Sequence, residues 1–447
     1  MNTIWRMSRR SLLGTSAALG STLILPGKAP AQGGAKPFAG TTLNVSCWSA
    51  PYAKWLQEYL PEFTELTGIE VNYDTPGFPV FNQQVDLELS TGGSAYDVAN
   101  ITFIYTSRWI GAGWFTPLDD FFNDPNKTPP DWDAADFLEG TQLPMKDADG
   151  KTYGFCWVAD AMFAGASRFD IIQEAGFDMP ASYDELTTMA PEIHKKSGVS
   201  AFTAENHHGW IFPPIMQAFG GNVFRDPPND IMPTLDTPEV HEASKWYVDL
   251  QNTYGPDGWL AQTYDQTTNM LKQGRANYCL FNQAFLMQMG AEDSRTRETC
   301  AFAMYPEGPK GTFPGLAVHG WGIPTGARNK DASWEFIKWA VGKELMMRML
   351  EEKGYGAVTR RSVIDSPLFK EANMVNGYDV GELYLKTIDL AKQGHMAYRT
   401  IHVYPQANAQ INKAIEVIAS GQATPEVAWR QAQENAVADI RRAGVDL

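Results

Sequence analysis

The chain has 447 residues, 44% of them hydrophobic and 20% charged. That excludes disordered, collagen-like and coiled-coil polymers, and at roughly 100–200 residues per domain it implies two domains or more. The 36 basic and 52 acidic residues give a formal charge of −16, with no basic cluster to follow a phosphate backbone, so nucleic-acid binding is excluded as a function class.

Residues 1–31 hold Arg6, Arg9, Arg10 and Lys28 and no acid, with a mildly apolar run from Leu12 to Leu25. This composition marks a targeting segment. Ser8 to Leu13 resembles the twin-arginine export signal of bacteria, and Ala29 and Ala31 place small residues for cleavage before Gln32. The apolar run is too short to span a bilayer core of roughly 30 Å, and no later stretch is long and apolar enough either. A soluble periplasmic product is expected, touching the membrane only through a partner. Loss of the four basic residues takes the charge of −16 to −20, which disfavours anionic ligands and surfaces at long range.

Leu43, Val45 and Cys47 alternate as a strand, and Trp48 and Ser49 follow it. Trp55, Leu56, Tyr59, Leu60 and Phe63 form one helical stripe that ends at Gly68, where a C-cap belongs. Ile69, Val71 and Tyr73 alternate again, Phe81, Val85 and Leu89 share a helix face, and Asp97–Ile101 reads as a third strand. This order opens an α/β sheet, whose ligands sit beyond the carboxyl ends of the strands. Asp147 to Gly150 reads as a hairpin turn, because Met145 stands where a calcium loop or a P-loop needs an oxygen ligand or a glycine. His207 and His208 lack a third ligand in reach, so no metal is expected and no cofactor motif occurs. Tyr278–Phe281 reads as a strand. Cys279 and Cys300 lie on apparent neighbouring strands and are the favoured disulfide among Cys47, Cys156, Cys279 and Cys300, with buried free thiols as the alternative. Trp334 and Trp339 belong to an amphipathic helix and are packing residues.

Nine segments in order resemble the family 1 extracellular solute-binding proteins that feed sugars to bacterial ABC importers. They are Leu60–Val71, Tyr96–Val98, Gly113–Phe121, Asp149–Gly154, Glu174–Pro180, Phe219–Gly221, Lys272–Gly274, Trp321–Pro324 and Ser333–Trp339. The resemblance implies two α/β lobes, 38–155 with 322–362 and 156–321 with 363–447, crossing near Phe155–Val158, Gly320–Gly322 and after Arg361. It implies a monomer that binds a sugar, polyol or sugar derivative in the interlobe cleft and delivers it to permease subunits, without catalysis.

On that topology Trp48, Ser49, Thr102 and Tyr105 line the first lobe's wall, and Trp157 to Asp160 the first crossing. Trp210, Gly221, Asn282 and Gln283 line the second lobe's wall. Gly320 and Trp321 mark the second crossing, Arg360 the third, and Tyr404 and Asn408 precede the last helices. Aromatic rings suit the C–H faces of sugars, and the polar groups suit hydroxyls. For each tryptophan a core position is the alternative. Asp160 reads either as a hydroxyl acceptor or as a salt-bridge partner. Arg360 reads as a donor to hydroxyls or as the partner of a carboxylate or sulfonate on an acidic derivative. A secreted glycoside hydrolase, which needs a carboxyl pair at set spacing, is the alternative function.

Overall fold

The computed structural model describes residues 36–447; the twin-arginine segment lies outside the described residues. Strands β1 (Thr42–Ser46), β2 (Glu70–Asp74) and β3 (Val98–Thr102) pair in parallel around β1. They confirm the strand, helix, strand, helix, strand opening. The helix Pro51–Thr67 buries Tyr52, Leu56, Tyr59, Leu60 and Phe63 and ends at Gly68, whose φ of 78° lets its N–H reach the Thr64 carbonyl. The third strand starts one residue later than expected because the Asp97 carboxylate is occupied at its entrance, accepting from the Asn44 and Arg328 amides.

The thirteen-residue strand β4 (Gly154–Ala166) is buried along its whole length and organises the rest. The remaining strands are β5 (Ser200–Thr203), the hairpin of β6 (Phe224–Asp226) and β7 (Asp230–Pro233), β8 (Ala276–Asn282), β9 (Ala301–Ala303) and β10 (Leu316–Gly322). The main sheet runs β2-β1-β3-β10-β4-β8-β5, with β9 also on β4. Along β4 the partner changes: residues up to Ala161 pair antiparallel with β10, and Met162 to Ala166 pair with β8. One strand therefore belongs to two half-sheets. Near the change a third stretch runs alongside, where the Ala159 amide donates to the Ala357 carbonyl and the Tyr355 hydroxyl to that of Trp157.

Helices cover both half-sheets. His208–Phe219, Pro238–Tyr254, Tyr404–Ala419 and Pro425–Arg442 pack on one another beside the second. The Asp147 turn is a hairpin, with the Asp147 carboxylate accepting from the Asp149 and Lys151 amides and Gly150 at a φ of 83°. Trp334 is buried within the helix Lys330–Ala340, as packing.

The expected Cys279–Cys300 disulfide is not formed; all four cysteines are free and buried. Gly165 of β4 faces Cys279 on β8, while Ala166 faces Ala301, the residue after Cys300, on β9. The two cysteines thus flank β4 on opposite sides, about two strand spacings or roughly 9–10 Å apart, beyond disulfide reach.

Candidate binding site

The side chains at the carboxyl ends of the strands converge between the half-sheets. Trp48 follows β1, and its ring centroid lies 4.9 Å from Phe78, 5.4 Å from His319 and 6.1 Å from Tyr264. Phe103 follows β3 and sits 4.7 Å from Trp210 and 5.7 Å from His319. His319 and Ala317 come from β10. From the second half-sheet, Asn282 ends β8 and accepts the Trp210 indole N–H at 2.8 Å. Tyr264 opens the helix Tyr264–Lys272, fixed by the Thr263–Gln266 capping box, and stacks 5.2 Å from Phe285. His207 stands within reach of the Tyr264 hydroxyl at 3.5 Å and the Asn408 amide at 3.4 Å. These residues enclose a cavity of only about 20 Å³, room for about one water molecule.

The lining residues Trp48 and His319, and Asn408, Glu205 and Arg399 behind the lining, are short of partners. Trp48 Nε1, His319 Nδ1, Asn408 Oδ1, Glu205 Oε1 and Arg399 Nη1 are buried and have no hydrogen-bond partner among the described residues. Burial of such groups is costly unless something bonds them. Burial also drives the titratable groups toward their neutral forms. Desolvation lifts Glu205 to about 8, opposed by the bond from the His207 amide, and lifts Asp160 to about 7, opposed by the Ala284 amide and the Asn282 side chain. It lowers His207 to about 4, helped by the nearby Arg399 charge, and His208 and His319 each to about 3.

Of the residues singled out from sequence, Trp48, Trp210 and Asn282 line this cavity, and Asn408 touches it through His207. Tyr404 lies beneath, its hydroxyl bonded to the Gly209 carbonyl at 2.6 Å. Asp160 is buried and accepts the Ala284 amide at 3.1 Å; it forms no salt bridge among the described residues and instead ties β4 to the turn after β8. The others are placed elsewhere. The Ser49 amide is bonded to the Pro76 carbonyl, and the Thr102 hydroxyl donates to Asn82. Tyr105 stacks on Trp109 at 4.9 Å. Trp157 is the extra residue of a bulge in β4, since His319 faces Val158 and Gly320 faces Cys156, and its ring packs on Trp321 and Tyr52. A side chain at Gly221 would strike Val240, and one at Gly320 would strike Met145. Gln283 donates to Asn373 and lines a separate, larger groove of about 470 Å³ beside Trp55 and Tyr355. That groove lacks the ring of aromatic faces around Trp48 and Trp210, so its size does not make it the better site. Arg360 does not face the cleft: its guanidinium pairs with Asp136 at 3.2 Å and bonds the Val341, Trp132 and Asp133 carbonyls.

Phe78, Phe103, Tyr264, Phe285, His319 and Arg399 were not singled out from sequence. For Phe103 the signal was present, as the first side chain after β3. Arg399 has none, being in a single 3-10 turn, Ala397–Thr400, far along the chain from Trp210 and Phe103.

A two-lobed solute receptor is the class defined by a strand shared between two half-sheets and an aromatic cleft between them. The chain belongs to the bacterial extracellular solute-binding protein family, whose model matches residues 49–347. The erythritol/L-threitol-binding protein of Mycolicibacterium smegmatis is 23% identical over 415 residues, spanning 83% of this chain and 85% of that protein. A solute-binding protein of an ABC transporter from Agrobacterium vitis S4, solved with bound D-mannitol, superposes with a TM-score of 0.81 at 23% identity over 90% of this chain and 99% of its own. Its counterpart from Agrobacterium radiobacter K84, in complex with ribitol, gives a TM-score of 0.80 at 20% identity with the same coverage. The fold is the two-lobed one, and the family is one of substrate-binding proteins, which disfavours the glycoside hydrolase alternative. No described helix is long and apolar enough to cross a membrane.

Proposed function

We propose that this chain is the periplasmic receptor of an ABC importer and captures a short polyol, sugar or sugar derivative between its lobes, returning it unchanged to the permease. The observation that carries this reading is the aromatic cleft with orphaned polar atoms at the strand ends: rings for C–H faces, and donors and acceptors awaiting hydroxyls. The relatives' erythritol, mannitol and ribitol point to the same ligand class. The lobes are 38–155 with 322–362 and 156–321 with 363–447, joined through β4 and β10. Ligand enters when they part, because the closed cavity holds no sugar.

A thermal-shift panel of erythritol, ribitol, D-mannitol, mono- and disaccharides and sugar acids tests the reading. At least one member raises the melting temperature and is recovered intact; a panel without effect overturns the proposal. The export route is tested separately. Arg9→Lys with Arg10→Lys leaves precursor in the cytoplasm, and normal periplasmic yield of that variant discards the twin-arginine route.

A further inference from the structure

Arg399 is 2% exposed, and no carboxylate lies within ion-pairing distance of it among the described residues. Its carbon Cζ sits 3.5 Å from the centroid of the Trp210 ring, and Phe103 and Tyr398 stand around it. Nε donates to the Tyr398 hydroxyl at 2.8 Å and Nη2 to the Trp210 carbonyl at 3.3 Å. Nη1 is buried with no partner. The group is held from behind as well: a methyl at Gly315 would come within 3.0 Å of both Nη1 and Nη2.

Next to the aromatic cleft, with Phe103 lining both, lies a second cavity of about 330 Å³, and Arg399 on its wall packs over the Trp210 ring that lines the cleft. Its walls include Leu143 and Val318 from one side and Met396 from the other, and its charged lining residues are Lys392, which pairs with Asp389 at 2.7 Å, and Arg399, which pairs with no acid among the described residues. In a chain with 52 acidic and 36 basic residues, a buried arginine left without an acid on a cavity wall is a departure that needs a reason. A desolvated guanidinium with a free N–H edge is costly unless an anion completes it, and planar carboxylates fit that edge.

We infer that the ligand is a polyol or sugar bearing a carboxylate, such as an aldonate or uronate, with its hydroxylated chain in the aromatic cleft and its carboxylate on Arg399. This inference rests on the proposed receptor function and narrows its ligand class. The position expected for such a contact from sequence, Arg360, is satisfied by Asp136; Arg399 takes that role.

Titration calorimetry of the mature chain with D-gluconate and D-glucuronate against D-glucitol, ribitol and D-mannitol tests it. The wild type binds one of the two acids at least tenfold more tightly than any of the three neutral polyols, and Arg399→Met abolishes that preference while Arg399→Lys keeps part of it. Equal or tighter binding of a neutral polyol overturns the inference and leaves the receptor function standing. If no acid or neutral polyol binds, and the wider sugar panel is also without effect, both fall. Should Arg399→Met fail to fold, the wild-type ratio of acid to neutral affinity decides alone.

Discussion

Trp210 combines two duties that the sequence reading holds as alternatives, pocket wall and core. Read as a stacking floor in a hydrated cleft, it predicts weakened binding and an intact fold on truncation. In the structure it is 4% exposed, covered by Arg399 and Phe103 and bonded to Asn282. Trp210→Ala is therefore expected to cost about 3 kcal/mol or more of stability in addition to weakening binding, read as a lowered urea midpoint. An unchanged midpoint would show that the ring is held more loosely than these contacts imply. Arg360 is the contrasting residue: its buried pair with Asp136 makes Arg360→Ala destabilising, with no role in ligand affinity beyond that loss.

The cleft's titratable groups also set a pH dependence. Glu205, raised to about 8, and Asp160, raised to about 7, keep protons in the fold that the unfolded chain releases near pH 4, so stability falls as pH rises from there through about 8. His207, His208 and His319, lowered to about 4, 3 and 3, act with the opposite sign. They stay neutral in the fold while the unfolded chain binds protons below about pH 6.5, so their contribution is complete above that value and is lost toward pH 3. Melting temperature should peak at roughly pH 6–7, and Glu205→Gln should flatten the decline toward pH 8. A wild-type melting curve that climbs steadily from pH 6 to 9 would contradict the burial of a protonated Glu205.

Among the elements, those set by local periodicity were legible. The alternation of Leu43, Val45 and Cys47 and the stripe from Leu56 to Phe63 gave β1 and the helix Pro51–Thr67, because a short window holds all the information. Trp48, Trp210 and Asn282 were legible for the same reason, each lying at a strand end or helix start. What remained hidden depends on distant partners. The bulge at Trp157 is a property of β4 against β10, the placement of β4 between β8 and β9 separates Cys279 from Cys300, and the turn of Tyr105 toward Trp109 is decided by packing. One element offers a test of how fold and site are joined. Thr263 caps the helix whose first residue is Tyr264, so Thr263→Ala should cost about 1 kcal/mol and also weaken ligand binding by loosening that ring. Loss of stability with unchanged affinity would separate the cap from the cleft.

At the scale of the whole molecule, the central cavity of about 20 Å³ makes this the closed form under the proposed closure of the lobes. A receptor signals occupancy only if ligand favours one arrangement of its lobes over another. Small-angle scattering of the empty protein should give a larger radius of gyration than the closed structure, contracting to it on saturation. A profile that matches the closed form before ligand is added, and does not change afterwards, would mean that side-chain motion alone admits the solute.

The four unpaired thiols have a consequence of their own. Buried in apolar surroundings, with Cys156 raised to about 12 and Cys300 to about 11 by desolvation, they offer almost no thiolate for exchange. The fold therefore asks nothing of an oxidant or an isomerase. The chain can reach the same final form in a reducing compartment as in an oxidising one, so its maturation is uncoupled from the place where it works.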